Sequence, residues 1–217
     1  MTPIFLNSAS LATLFNFAMN DAGTVVFRNN RGTGIFTTSG GLITTIVDSS
    51  SPFNYFGDAP SINSAGRVAF VAGVNGIDGG TYGIYSGNGG PLTTIADLSG
   101  PYSYLGDFYS YQPSINASGM VAFSAGLDAG GGGVFIGDGT VTSKVIGAGD
   151  PLFGSVVMGA GVSPNGLNDA GQVAFIYQLA NGTTGIAVAT PVPEPSVSLL
   201  LAVSFGLSLA RRTTRRG

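Results

Sequence analysis

Along residues 1–190 the apolar positions fall in short, strand-length runs separated by clusters of Gly, Asn, Asp and Ser. Runs of that length between turn formers predict β-strands, and no stretch in this part carries the long apolar period of a helix. One eight-residue pattern occurs four times: Asn20 to Phe27, Asn63 to Phe70, Asn116 to Phe123 and Asn168 to Phe175. The first positions are 43, 53 and 52 residues apart. Counting the apolar residue before each Asn (Met19, Ile62, Ile115, Leu167), the repeats start near 19, 62, 115 and 167. A period of about 40–50 residues belongs to propeller blades or solenoid units.

The octad predicts a turn followed by a two-faced strand. Asn at its first place and Gly at its fourth suit a type I turn, with the preceding apolar residue anchoring the turn to the core. Val68 and Phe70 would then face one way and Ala69 the other, so the strand lies between two layers, and the small Ala lets a neighbouring sheet approach. A second strand is predicted at Gly34-Ile35-Phe36, Gly83-Ile84-Tyr85, Gly133-Val134-Phe135 and Gly185-Ile186-Ala187. Gly-rich hairpins such as Asn75 to Gly80 connect them. A third runs over Leu42 to Val47, Leu92 to Ala96 and Val141 to Ile146, and the fourth repeat has no counterpart. The expected fold is all-β: four tandem β-sheet repeats over residues 1–190, propeller-like, with a β-solenoid as the alternative. In the propeller arrangement Thr2 to Leu6 would supply the strand missing from the fourth repeat and close the ring.

The pattern changes after residue 190. Val192-Pro193-Glu194-Pro195-Ser196 lies in a linker over 191–196, and a 14-residue apolar run, Val197 to Ala210, begins the segment 197–217. As a helix this run spans about 21 Å, short of a hydrocarbon core of about 30 Å. Arg211, Arg212, Arg215 and Arg216 follow it and favour the cytoplasmic side as a membrane stop.

Two resemblances rest on these residues. Pro193-Glu194-Pro195, the apolar helix and the arginine cluster resemble the PEP-CTERM sorting signal of exported Gram-negative proteins. That resemblance implies recognition and cleavage by exosortase, a membrane protease-transpeptidase, and transient anchoring in the inner membrane. It also implies a final place at the cell surface or in the extracellular matrix, often with extracellular polysaccharide in biofilms. Met1 to Ala18 has no basic residue and does not read as a secretory leader, so the reading frame is expected to start late or to belong to a longer protein. The octad is similar to the NxxGxxAF repeat of proteins with varied C-terminal anchors; Val26 stands where that pattern has Ala. This second resemblance implies architecture and location, not an activity.

Composition limits the chemistry. With no Cys and no His there is no thiol nucleophile, no disulfide, no zinc finger and no Ser-His-Asp triad. Outside the tail arginines, four basic residues (Arg28, Arg31, Arg67, Lys144) stand against ten Asp and Glu194, a poor match for nucleic acid. Four of the eight tyrosines, Tyr102, Tyr104, Tyr109 and Tyr111, crowd into ten residues around Asp107. Rings that stack on sugar faces and a carboxylate that accepts hydroxyl hydrogen bonds make these five a candidate polysaccharide-binding set. The alternative is that the rings fill gaps between sheets. Phe53, Tyr55, Phe56 and Asp58 form a similar group one repeat earlier.

Gly57-Asp58, Gly106-Asp107 and Gly149-Asp150 precede successive octads and suggest Ca2+ as an alternative to plain Asp turns. Their spacing to the next Asn is irregular, and no cofactor or metal ligand is assigned. No catalytic residue is assigned either. Asp21 and Asp169 share an octad position that Ala117 also fills, and Gly131-Gly132-Gly133 lacks the Lys and helix of a phosphate loop. The expectation is a non-catalytic exported surface or matrix protein. A polysaccharide-binding module is the second reading and an Asp-dependent secreted hydrolase the third.

Overall fold

The computed structural model describes residues 17–29, 32–74, 80–106 and 112–191. Within them every octad folds the same way. The N–H of the Gly donates to the carbonyl of the first Asn, and the Asn N–H donates to the carbonyl four residues on, at 2.9–3.1 Å in all four copies. Gly23, Gly66, Gly119 and Gly171 take φ of 77°, 78°, 87° and 76°, the left-handed conformation that a type I turn closed by a glycine bulge requires. The expected turn is therefore present in each repeat.

Each turn joins the octad strand to the strand immediately before it within an antiparallel sheet. The first sheet runs in order β1 (Phe17–Met19), β2 (Val25–Arg28), β3 (Gly34–Ser39) and β4 (Leu42–Asp48). In the second, β5 (Tyr55–Phe56) and β6 (Ser61–Ile62) both pair with β7 (Val68–Val74), followed by β8 (Thr81–Gly87) and β9 (Thr93–Asp97). The third repeats this with β10 (Tyr102–Leu105) and β11 (Ser114–Ile115) on β12 (Val121–Leu127), then β13 (Gly132–Gly137) and β14 (Thr142–Gly147). The fourth is β15 (Pro151–Leu152), β16 (Ser155–Leu167), β17 (Val173–Leu179) and β18 (Thr184–Ala189).

One strand per sheet departs from the sequence expectation. The apolar residue before each Asn, expected only to anchor the turn, ends a strand that pairs with the octad strand. In the fourth sheet β18 is an edge among the described residues, as the missing third strand implied, while β15 adds to the opposite edge. Thr2 to Leu6, expected to close the ring, lie outside the described residues.

The octad strand packs on both faces as its pattern predicts. Val68, Phe70 and Ala72 join a buried cluster with Val26, Ile35, Ile46 and Val47 of the first sheet. From the same strand, Ala69 and Val71 join Val121, Phe123 and Ala125 of the third. Ala122 then packs with Val162, Leu167, Val173 and Phe175 of the fourth. Three shared cores thus connect four sheets in chain order.

A recurrent bulge completes each core. Pairing slips at Ile35/Phe36, at Ile84/Tyr85 and at Val134/Phe135, leaving an extra residue in the following strand. The bulge lets two successive residues turn inward, so Ile46 and Val47 are both buried, as are Ile95 and Ala96. In the first three sheets the glycine just before the buried Ile or Val of the strand after the octad strand is required by close approach. A Cβ at Gly34, Gly83 or Gly133 would come 2.7, 2.8 or 2.1 Å from a carbonyl oxygen of the neighbouring strand.

The sheets are also joined by a polar ladder. Asn20 Nδ2 donates to the carbonyl of Asn63 at 3.0 Å, Asn63 to Asn116 at 2.9 Å, and Asn116 to Asn168 at 3.3 Å. Meanwhile the Oδ1 of each Asn accepts the N–H four residues on within its own turn, at 2.8–3.0 Å. Asn168 is exposed, and its amide turns to Gln172 Oε1 of its own repeat at 2.8 Å. Hydroxyls add to the joint between the third and fourth sheets: Ser114 Oγ accepts Leu167 N–H and Ser124 Oγ accepts Val162 N–H, both at 3.0 Å.

Asn63→Ala or Asn116→Ala removes the turn acceptor and leaves the turn carbonyl of the next repeat short of one donor. Each should cost about 2–4 kcal/mol. Asn168→Ala, at an exposed end, should cost less than about 1 kcal/mol. Urea unfolding midpoints of the three variants check this order; equal losses at all three positions would contradict it.

Candidate functional site

The two inter-repeat aromatic groups are built alike but split between core and surface. Tyr55 on β5 faces Gly73, and Tyr104 on β10 faces Gly126, one repeat apart at the same place in the sheet. Each glycine permits a close approach, to a ring at Gly126 and to the neighbouring strand at Gly73. A Cβ at Gly126 would sit 2.0 Å from Tyr104 Cε1, and one at Gly73 would sit 2.6 Å from Tyr82 Cβ. Tyr82, on the other side of Gly73, sends its hydroxyl across to the third sheet, where it accepts the Leu105 N–H at 3.3 Å.

Tyr55, Tyr82 and Tyr104 thereby share one edge at the junction of the second and third sheets. Tyr104 is 48% exposed; Tyr55 and Tyr82 are half-buried against the shared core. Asp58, ion-paired with Arg28, lies close enough to Tyr55 to disfavour its ionisation. The pair links the first sheet to the segment before the second octad.

The structure separates the five residues of the candidate polysaccharide set. Tyr102 is buried, with its ring edge-on to Phe123 and Phe135 at 6.0 and 5.4 Å, so it fills the junction between the sheets. Tyr104 is on the surface. Asp107, Tyr109 and Tyr111 lie outside the described residues, as do Val192, Pro193, Glu194, Pro195 and the arginines Arg211, Arg212, Arg215 and Arg216. From the earlier group, Phe56 is in the core and Phe53 packs on Tyr85 at 4.8 Å. Sequence reasoning missed Tyr82, which falls in a different strand. The signal was available in Gly73 and Gly126, each at the far end of an octad strand.

Most of the described carboxylates are occupied in local structure. Asp48 is held below the usual carboxylate range by the Ser50 hydroxyl and N–H, and Asp138 by the N–H groups of Thr140 and Val141. Lys144, on β14, bonds Asp150 at 2.6 Å, and with the Gly147 N–H it lowers that carboxyl too. Asp169 Oδ1 accepts the Ala117 N–H of the preceding octad at 2.7 Å. Of the three Gly-Asp pairs read for Ca2+, Asp58 and Asp150 each face a cationic side chain. Among the described residues no three or more acidic side chains gather as a metal site. No helix among them is long and apolar enough to cross a membrane.

What the fold and this edge define is a class, an all-β tandem-repeat protein with successive sheets sharing cores. The chain belongs to the family of unknown function DUF7453, whose model matches residues 7–158 and again 154–199. Among solved structures, virginiamycin B lyase from Staphylococcus aureus is similar over 84% of this chain and 71% of that one. The identity is 13% and the TM-score 0.31, too little to carry fold or function across. No curated protein sequence matches the chain.

Burial raises the hydroxyls of Tyr55, Tyr82, Tyr85 and Tyr102 above the ordinary phenol value. The unfolded chain then loses these protons at lower pH than the folded one. Their contribution to stability is complete below about pH 10 and is lost as pH rises through the folded values. Melting temperature followed from about pH 8 to about pH 11 should fall steeply on the alkaline side. Tyr82→Phe should shallow that fall, and a flat profile would contradict the burial of these phenols.

Proposed function

We propose that this chain is a non-catalytic exported protein of the cell surface or extracellular matrix. In this reading the four sheets form a propeller-like body, with a solenoid as the alternative arrangement, and the C-terminal segment is a sorting signal. The observation that carries it is the order of Pro193-Glu194-Pro195, apolar run and arginine cluster. An exosortase-type membrane protease-transpeptidase is the partner, and the inner membrane holds the tail until it is cut. The use of most of the described carboxylates as turn caps and ion-pair partners supports a structural rather than a catalytic role.

A second reading concerns what the body binds. The shared edge of Tyr55, Tyr82 and Tyr104, with Asp58 nearby, offers ring faces for the apolar face of a sugar and polar groups for its hydroxyls. An extracellular polysaccharide is the ligand class this edge suits.

Cell fractionation with intact-mass analysis tests the first reading. The mature protein is expected outside the cytoplasm, shortened near Pro193 to Pro195. A cytoplasmic product retaining Arg216 would reject it. For the second, Tyr104→Ala should weaken polysaccharide binding by up to about tenfold, one ring contact's worth, with unchanged circular dichroism. Unaltered binding would remove Tyr104 from any site.

A further inference from the structure

The two ends of the stack carry complementary halves of the joint that connects its sheets. Ile35, Ile84 and Val134 hold one position in the first three sheets. Each faces the following sheet and is 0% exposed. Ile186 holds that position in the fourth sheet and is 76% exposed, with Val188 at 60% beside it. The fourth sheet thus keeps the apolar side chains that its predecessors bury against a neighbour, and no described sheet covers them.

The first sheet shows the reverse. Ile115 and Leu167, just before their octads, pack on the preceding sheet and are 7% and 5% exposed; Met19, their counterpart, is 64% exposed.

The polar ladder ends in the same complementary way. The carbonyls of Asn63, Asn116 and Asn168 each accept two donors, the Gly N–H of their own turn and the Asn amide of the preceding repeat. Among the described residues, the carbonyl of Asn20 accepts only the Gly23 N–H. At the other end the Asn168 amide, the group that elsewhere reaches the next repeat, is spent on Gln172. Asp169 caps the Ala117 N–H of the preceding octad, and Asp21 places an identical side chain at the same position of the first repeat.

We propose that this protein binds a second copy of itself head to tail, the fourth sheet of one chain packing on the first sheet of the next. Asn168 Nδ2 then donates to the Asn20 carbonyl of the neighbouring copy, and Asp21 accepts the N–H of Asp169. The contact extends an interface made three times within the chain, which is why the occupant is this chain and not an unrelated partner. A heterologous contact of this kind either closes into a ring or runs on as a filament.

The chain has no cysteine, so single-cysteine variants can report this contact without background. Full-length Met19→Cys and Ile186→Cys would be mixed and treated with a short bis-maleimide. An exposed Asp128→Cys variant serves as the collision control. The expected product is a mixed dimer well above that control, lost by about tenfold or more when Ile176→Asp is added to the Ile186→Cys chain. Three results would overturn the proposal. They are cross-linking of Ile186→Cys with itself alone, cross-linking within one chain of the double-cysteine variant, which would mean closure of the single chain, and no product above the control.

Discussion

A single asparagine amide sets how the sheets of this protein meet. Its Oδ1 completes the turn in its own repeat, and its Nδ2 supplies the second donor to the turn carbonyl of the next. A buried side-chain N–H that lacks an acceptor costs as much as a lost hydrogen bond, so the neighbouring turn carbonyl must sit within reach of the amide. Asp could close the turn but could not donate onward, and Gln would displace the onward contact. The small seventh residue, Ala69 or Ala122, follows from the same constraint. Two sheets held at that separation leave no room there for a large side chain in most repeats, and Val26 fills it in the first, fully buried.

The rest of each core is arranged around that spacing. The octad phenylalanine faces back to the preceding sheet and the seventh residue forward to the next, so Phe70 meets Val26, Phe123 shares a core with Ala69, and Phe175 with Ala122. The bulge in the last strand turns Ile46 with Val47, or Ile95 with Ala96, into the same layer. Charged groups stay at the margins. Arg28 reaches Asp58 across the first joint, while Arg67 ties its own sheet by bonding Ser86 and Thr93. The core joints owe their stability to apolar packing and uncharged hydrogen bonds and should be insensitive to salt.

Much of this was legible in the sequence because it is local. The turn, the left-handed glycine and the two-faced strand are all written within eight residues. The strand before each octad was not legible, since β6 and β11 hold only two residues each and their pairing depends on the octad strand opposite. Nor was the direction of the Asn amide, which is fixed by a residue 43 to 53 positions away. Tyr102 and Tyr104 show the same limit at the candidate site. Two residues apart in one strand, they fall on opposite sides of a register shift, one into the core and one onto the surface. Tyr82 joins Tyr104 only because two sheets meet.

Exchange of the asparagine side-chain amide protons with solvent tests the ladder most directly. In the chain labelled with 15N at asparagine, the amides of Asn20, Asn63 and Asn116 should exchange slowly and that of Asn168 fast at protein concentrations too low for self-association. Equally fast exchange at all four would mean that the sheets are held by apolar packing alone, and that the amide does not set their spacing.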